Sequence, residues 1–369
     1  MTSQGMRSHF SRTGSKQLRS LLFAIAGLAL LCTVLPQALD AATQVQNEKL
    51  SRLIAAAKEE GVIDFSGPPE LTPRGTQALI SGLNKKYNLN LNLNYVPTPG
   101  YPIVTSQLIT EIQAGQSATY DVVYLTELNL VKLYSRGFLV PFDWTGTFSH
   151  ITKDSVYFDN GGLLTATIFA LPAYNTRLVS SQDVPKQWED LLDPKWKGKI
   201  VAPKFVQVWV SLAQTWGEKR TTDFLNRLKT QEPLYVKYSE LRTRLESGEY
   251  PLAANHLSSM VDGARQRGIP VDYADLVKPI PVLLDMMGIP KNARHPNTAK
   301  LFMAFSLTPE GQEIWFQFAQ RSSLFTQGTP AWRFSRGKDL LLRDMKALVK
   351  NPEVIEQLEK RFADVLGIR

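Results

Sequence analysis

Val62-Ile-Asp-Phe-Ser-Gly-Pro-Pro-Glu70, Asn90-Leu-Asn-Leu-Asn-Tyr-Val96 and Asp121-Val-Val-Tyr-Leu-Thr-Glu127 are the runs whose reading decides the fold. Each is a short apolar or alternating segment that ends in turn-forming or polar residues and leads into a helical pattern. The first passes through Pro68-Pro69 to Thr72-Pro73, where threonine caps and proline opens a helix running to about Tyr87. In the second, Leu91, Leu93 and Tyr95 alternate with asparagines, the mark of a half-buried strand. A Pro/Gly loop then leads to a helix over residues 103–114, stopped by Gly115. The third run opens a helix at Thr126-Glu127 that Gly137 ends. Three consecutive strand–loop–helix units demand a parallel sheet with right-handed crossovers and helices on both faces. Such sheets bind ligands beyond the carboxyl ends of their strands, so the loops at 66–70, 97–102 and 126–129 are expected to share one rim.

Outward from this core the alternation continues. Leu50, Leu53, Ile54 and Ala57 predict a helix over 45–60. Further strands are expected at 199–203, 234–238, 250–254, 271–276 and 281–285. Helices are expected at 206–216, 223–229, 239–246, 257–267, 298–307, 309–321, 339–350 and 352–366. No fixed-period repeat occurs, which argues against a solenoid. No long Gly/Ser or Pro-rich linker divides the chain, so two lobes are expected to be joined by structured crossings.

Composition sets the outer limits. The chain has 369 residues, 43% hydrophobic and 21% charged, which is ordinary for a globular protein and too long for one average domain. Its 42 Lys+Arg against 34 Asp+Glu are spread without a dense basic block or a nucleic-acid motif, so the excess reads as a solvated surface. Residues 1–20 are basic without an acid; a 15-residue apolar run, 21–35, follows, and then the small residues of 38–42. That order is a secretory signal peptide, with cleavage expected near Ala41. A membrane anchor needs roughly 20 apolar residues. The lone cysteine, Cys32, leaves with the peptide, which excludes a disulfide framework and a cysteine zinc site.

Catalytic signatures are absent: no Gly-x-Ser-x-Gly elbow, no His-Glu-x-x-His, no phosphate loop and no dinucleotide glycine fingerprint. His150, His256 and His295 lack local metal spacing, and His295 reads as structural, before a helix that Asn297 can cap. Trp188, Trp196, Trp209 and Trp216 read as packing cores or covering helix faces, Trp209 standing nearest a rim loop.

Val184-Pro-Lys-Gln-Trp-Glu-Asp-Leu-Leu-Asp-Pro-Lys-Trp-Lys-Gly-Lys-Ile-Val-Ala-Pro203, followed in order by Ser247-Gly-Glu-Tyr-Pro-Leu-Ala253, Gly288-Ile-Pro-Lys291, His295-Pro-Asn-Thr-Ala-Lys300 and Leu307-Thr-Pro-Glu-Gly-Gln312, resembles the periplasmic solute-binding proteins of ABC importers, ferric-iron-type branch. The resemblance implies an α/β, two-lobed periplasmic-binding-protein fold (type II-like) with a ligand cleft between the lobes. It implies a first lobe from 42–168 and 282–369, the latter including the C-terminal helices, and a second lobe from 169–281, with hinges near 165–174 and 278–285. It also implies a non-enzymatic, monomeric receptor with no cofactor. That receptor captures a small solute by hinge closure and hands it to an inner-membrane ABC permease with its ATPase.

Ferric-binding relatives hold the metal with two adjacent tyrosines just after the Gly-Glu-x-Pro strand. Counted from Pro251, those places carry Ser258 and Ser259, and the chain contains no Tyr-Tyr pair. Two hydroxyls, an amide and an imidazole at a helix start suit a carboxylate or phosphate group. The expected ligand-binding residues are Ser66, Gly67, Pro68, Tyr101, Thr126 and Glu127 from the first lobe and Lys204, Asn255, His256 and Ser258 from the second, with Tyr174 and Asp285 near the crossings. The alternative cargo is ferric iron held through Tyr101, Tyr174 or Glu127; a hydrolase or a ligand sensor on the same architecture are the rival classes.

Overall fold

A computed structural model describes residues 43–368; the expected signal peptide lies outside them. The chain divides after Arg52, and the residues from Leu53 onward form one body. Among the described residues, no helix is long and apolar enough to cross a membrane.

The strands are β1 (Val62–Gly67), β2 (Asn92–Pro97), β3 (Val122–Thr126), β4 (Val156–Tyr157), β5 (Gly162–Asn175), β6 (Ile200–Pro203), β7 (Leu234–Val236), β8 (Leu252–Leu257), β9 (Val271–Tyr273), β10 (Ile280–Gly288) and β11 (Leu340–Leu342). Their main order is β2-β1-β3-β10-β5-β8-β6-β7. β1 runs parallel to β2 and β3, and β6 parallel to β7 and β8, as the strand–helix alternation requires. β10 is antiparallel to both β3 and β5.

β5 is the joint. Residues 162–169 pair with β10, then 170–174 pair with β8 and 173–175 with β9. Nearly all of its 14 residues are buried, so its run Gly162-Leu-Leu-Thr-Ala-Thr-Ile-Phe-Ala-Leu171 is apolar without alternation. The Ala170↔Leu257 and Asp285↔Thr126 pairings bring the carboxyl ends of β3 and β8 to the same stretch of crossing strand.

Three expectations need correction. Residues 339–350 are not one helix: Leu340–Leu342 add to β10 in parallel register, and Asp344 caps a short helix, Met345–Lys350. The strand expected at 250–254 runs instead from Leu252 to Leu257, so Asn255 and His256 lie in the strand itself. The helix Pro296–Ser306 is not capped by Asn297. Glu60 caps it from outside, its carboxylate accepting from the backbone N–H groups of Asn297 at 2.9 Å and Thr298 at 2.7 Å.

The C-terminal helix Pro352–Leu366 packs on the helices Gln207–Trp216 and Glu218–Lys229. Trp209 is core, edge-on to Trp188 at 5.6 Å and tilted against Phe224 at 5.7 Å.

Candidate functional site

Beyond the carboxyl end of the first parallel strands, one arginine gathers the rim. The Arg321 side chain donates from Nη1 to Asp285 Oδ2 at 2.7 Å, Tyr124 OH at 3.2 Å and Tyr101 OH at 3.5 Å, and from Nη2 to Glu70 Oε2 at 3.3 Å. Tyr124 OH also donates to Asp285 Oδ2 at 2.8 Å. The partners come from the loop after β1, the helix Tyr101–Gln113, β3 and β10, so the topology alone brings them together. Burial pushes the Tyr101 phenol up to about 12 and the Tyr124 phenol well above its usual range. It also lifts the Asp285 carboxyl, with Arg321 working against the lift. Arg321 Nε is buried without a partner. Glu70, 42% exposed, is the solvent-facing edge of the group.

On the far side of the crossing, β8 presents a second group. Tyr238 OH donates to Asn255 Oδ1 at 3.0 Å, and the Tyr238 ring stacks on His256 with centroids 6.1 Å apart. Asn255 is fully buried and its Nδ2 donor has no partner; His256 Nδ1 has none either. The helix Ser258–Gln266 follows Leu257, so its first turn carries no side-chain cap. Ser258 Oγ accepts instead from the Phe169 amide of β5 at 3.1 Å.

β5 ties the two groups together. Ser322 O accepts from Thr167 N–H at 3.0 Å, two residues along the strand from the Phe169–Ser258 bond. Two strand residues span about 7 Å. Between them lies a cavity of about 110 Å³ lined by Thr167, Phe169, Ser258, Asp262, Gln320 and Ser322 among others. Burial pushes the Asp262 carboxyl in its wall up to about 6.

The expected site residues fall into three sets. Tyr101 and Asp285 are in the Arg321 group, and Asn255, His256 and Ser258 in the β8 group. Ser66 and Gly67 end β1, the first with a buried, unpartnered hydroxyl, Pro68 follows it, and Thr126 pairs with Asp285. Lys204 is exposed just past β6, its amide held by Val236 O at 2.8 Å.

Tyr174 and Glu127 also stand outside both groups. Tyr174 pairs with Leu252, at the opposite end of β8 from Leu257 and about 17 Å along the strand, because β5 runs antiparallel to β8. Glu127 is buried in an ion pair with Arg343, Oε1 to Nε 3.0 Å, each side chain 1% exposed, and so is out of a solute's reach. Arg321, Tyr124, Glu70 and Tyr238 are the residues of these groups that sequence reasoning did not find.

Asp64, Asp121 and His295 have potential ligand atoms within 4.8 Å of one another. Asp121 precedes β3, away from the rim, and its carboxylate accepts from the amides of Asp64 and His295 while contacting His295 Nδ1 at 2.8 Å. Arg294 already pairs with Asp64 at 2.6 Å. The trio pins the helix Pro296–Ser306 to β1 and β3, a structural role for His295.

Burial, with the charge of Arg242 adding, lowers the His256 imidazole to about 3. The unfolded ring protonates near 6.5. The stabilising difference is therefore present above pH 6.5 and is lost as pH falls toward 3. By pH 5 it amounts to about 2 kcal/mol of lost stability. Denaturant unfolding at pH 7.5 and 5 checks this, with His256→Gln flattening the slope; an equally steep loss in the variant would show that His256 is not its source.

The chain belongs to the bacterial extracellular solute-binding protein family, whose profile matches residues 78–327. An uncharacterized protein of Haemophilus influenzae is 29% identical over 155 residues, 40% of this chain; the match spans 44% of that relative, less than half its length. An Fe(3+)-binding periplasmic protein of Serratia marcescens is 24% identical over 272 residues, 70% of this chain and 77% of that one. Among solved structures, iron-bound HitA from Pseudomonas aeruginosa superposes with a TM-score of 0.67 at 18% identity, covering 82% of this chain and 99% of its own. AfuA from Actinobacillus pleuropneumoniae, with fructose-6-phosphate bound, does so with 0.64 at 20%, covering 84% and 98%. The fold is the two-lobed one of periplasmic binding proteins, as the sequence motifs imply.

Proposed function

We propose that the chain is an exported, non-enzymatic receptor that captures an organic or phosphorylated anion between its lobes and delivers it to a membrane ABC permease. In this reading the lobes are 42–168 with 282–369, and 169–281, hinged where β5 passes from β10 to β8, while the helix Pro352–Leu366, counted with the first lobe, packs on the helices Gln207–Trp216 and Glu218–Lys229 of the second. Solute touching both lobes favours the closed state by its differential affinity.

The observation that carries the anionic solute is the open first turn of the helix Ser258–Gln266 beside the unpartnered Asn255 Nδ2. Free helix N–H groups and a buried amide donor are an acceptor's environment. Lys204 adds a cation on the same side, and the neutral His256 contributes a hydrogen-bonding ring rather than a charge. Ferric iron, the cargo named for the Serratia relative, is the second reading. It lacks the adjacent tyrosine pair here, and Tyr101 is held protonated within the Arg321 group.

The test begins with mass spectrometry of what co-purifies with the exported protein. Asn255→Ala is expected to weaken binding of that solute by about 1–3 kcal/mol. Small-angle scattering is expected to show a smaller radius of gyration at saturation. A coloured tyrosinate–iron complex on adding ferric citrate, lost in Tyr101→Phe, would replace the anion by iron.

A further inference from the structure

Away from both groups, a groove of about 690 Å³ opens between the β4–β5 hairpin and the helix Met345–Lys350. That volume is within the roughly 300–1,000 Å³ of small-molecule sites. Its floor is apolar: Phe158, Met345 and Val349 line it, and Phe158 packs on Tyr134 with ring centroids 5.1 Å apart. Its rim is basic. Lys153 comes from the segment before β4, and Lys346 and Lys350 from the facing helix. Among the described residues, none of these three lysines has an ion-pair partner. The lining acid, Asp159, is already taken up by the Tyr134 hydroxyl.

The hairpin is shaped at a cost in backbone energy. Phe158, Asp159 and Asn160 are successive non-glycine residues at φ 55°, 50° and 70°, in the left-handed region that Asp and Asn tolerate and a bulky Phe avoids. Three further bonds hold them there: Phe142 N–H at 3.2 Å and Trp144 Nε1–H at 2.8 Å donate to Asn160 O, and Gly161 N–H at 2.8 Å donates to Phe158 O. Strain kept in place this way marks a surface worth keeping in that shape.

We propose that this groove is a second ligand site, separate from the interlobe cavity. It takes an amphipathic organic monoanion, with an aliphatic or aromatic body on Phe158, Met345 and Val349 and a carboxylate or sulfonate among the three lysines. Apolar burial supplies the affinity and the unpaired cations select the charge. The site does not depend on what the cleft carries.

Fluorescence titration of the purified protein with anilinonaphthalene sulfonate tests it. One saturable class of binding is expected, displaced by dodecanoate and not by dodecanol. Lys153→Glu combined with Lys350→Glu is expected to weaken it about tenfold, the effect of reversing two charges at an exposed rim. Both lysines are exposed, so the variant folds as the parent does. Asn255→Ala is expected to leave the titration unchanged. Binding that ignores the charge reversal, that dodecanol displaces equally, or that disappears in Asn255→Ala would overturn the proposal.

Discussion

Arg343→Met is expected to lower the stability of the protein by about 3–5 kcal/mol, the usual result of removing one partner of a buried ion pair. Methionine keeps most of the apolar stem, so the loss is chiefly one of charge. Glu127 and Arg343 are each 1% exposed, and water cannot replace the missing partner. Burial already raises the Glu127 carboxyl, with Arg343 the main opposing influence. Without Arg343 the carboxyl rises further, while its unfolded value stays near 4.3. The deficit is thus full at pH 7 and narrows as acid protonates Glu127 in the folded state. Denaturant unfolding of variant and parent at pH 7 and pH 5 measures both effects. A deficit under about 1 kcal/mol would place the pair among the weak ones. Glu127→Leu with Arg343→Met is expected to recover part of the loss, because Glu127 no longer leaves an orphaned charge while the half-buried Glu359 carboxyl, which Arg343 also holds down, still lacks its cation.

Arg321→Met is expected to have a comparable effect for a different reason. Asp285 is nearly inaccessible and would keep only the Tyr124 hydroxyl. The expected loss is again about 3–5 kcal/mol, and Asp285→Asn in the same chain should restore much of it. Glu70→Gln removes a half-exposed contact of the same guanidinium and should change stability by less than about 1 kcal/mol. Thermal melts of the three variants rank these values. If Glu70→Gln proved as damaging as Arg321→Met, the view of Arg321 as a buried counter-ion to Asp285 would fall.

Much of the framework could be read from local pattern. The helix expected from Thr72 to Tyr87 has those bounds, and β1, β2 and β3 begin within two residues of their expected starts. Such elements are written in turn chemistry and periodicity, which act over a few residues. β5 was harder, because a strand buried on both faces does not alternate, and only the family resemblance placed a crossing there. Leu340-Leu-Leu342 suits a helix locally, and its pairing with β10 overrides that preference. The acids Glu127 and Asp285 could be picked out because each interrupts an apolar context. Their partners could not. Arg321 stands among polar residues and Arg343 follows three leucines that read as helix, and what distinguishes both is a meeting of distant segments.

β10 occupies the space between β3 and β5. Any chain ending before residue 280 therefore leaves one edge of each strand without hydrogen-bond partners. Those edges are apolar and carry no charged gatekeeper, the condition that templates strand-to-strand association between molecules. Truncated and incomplete chains are the aggregation hazard of this architecture, and the hazard ends only when β10, in the last quarter of the polypeptide, is available to close the sheet.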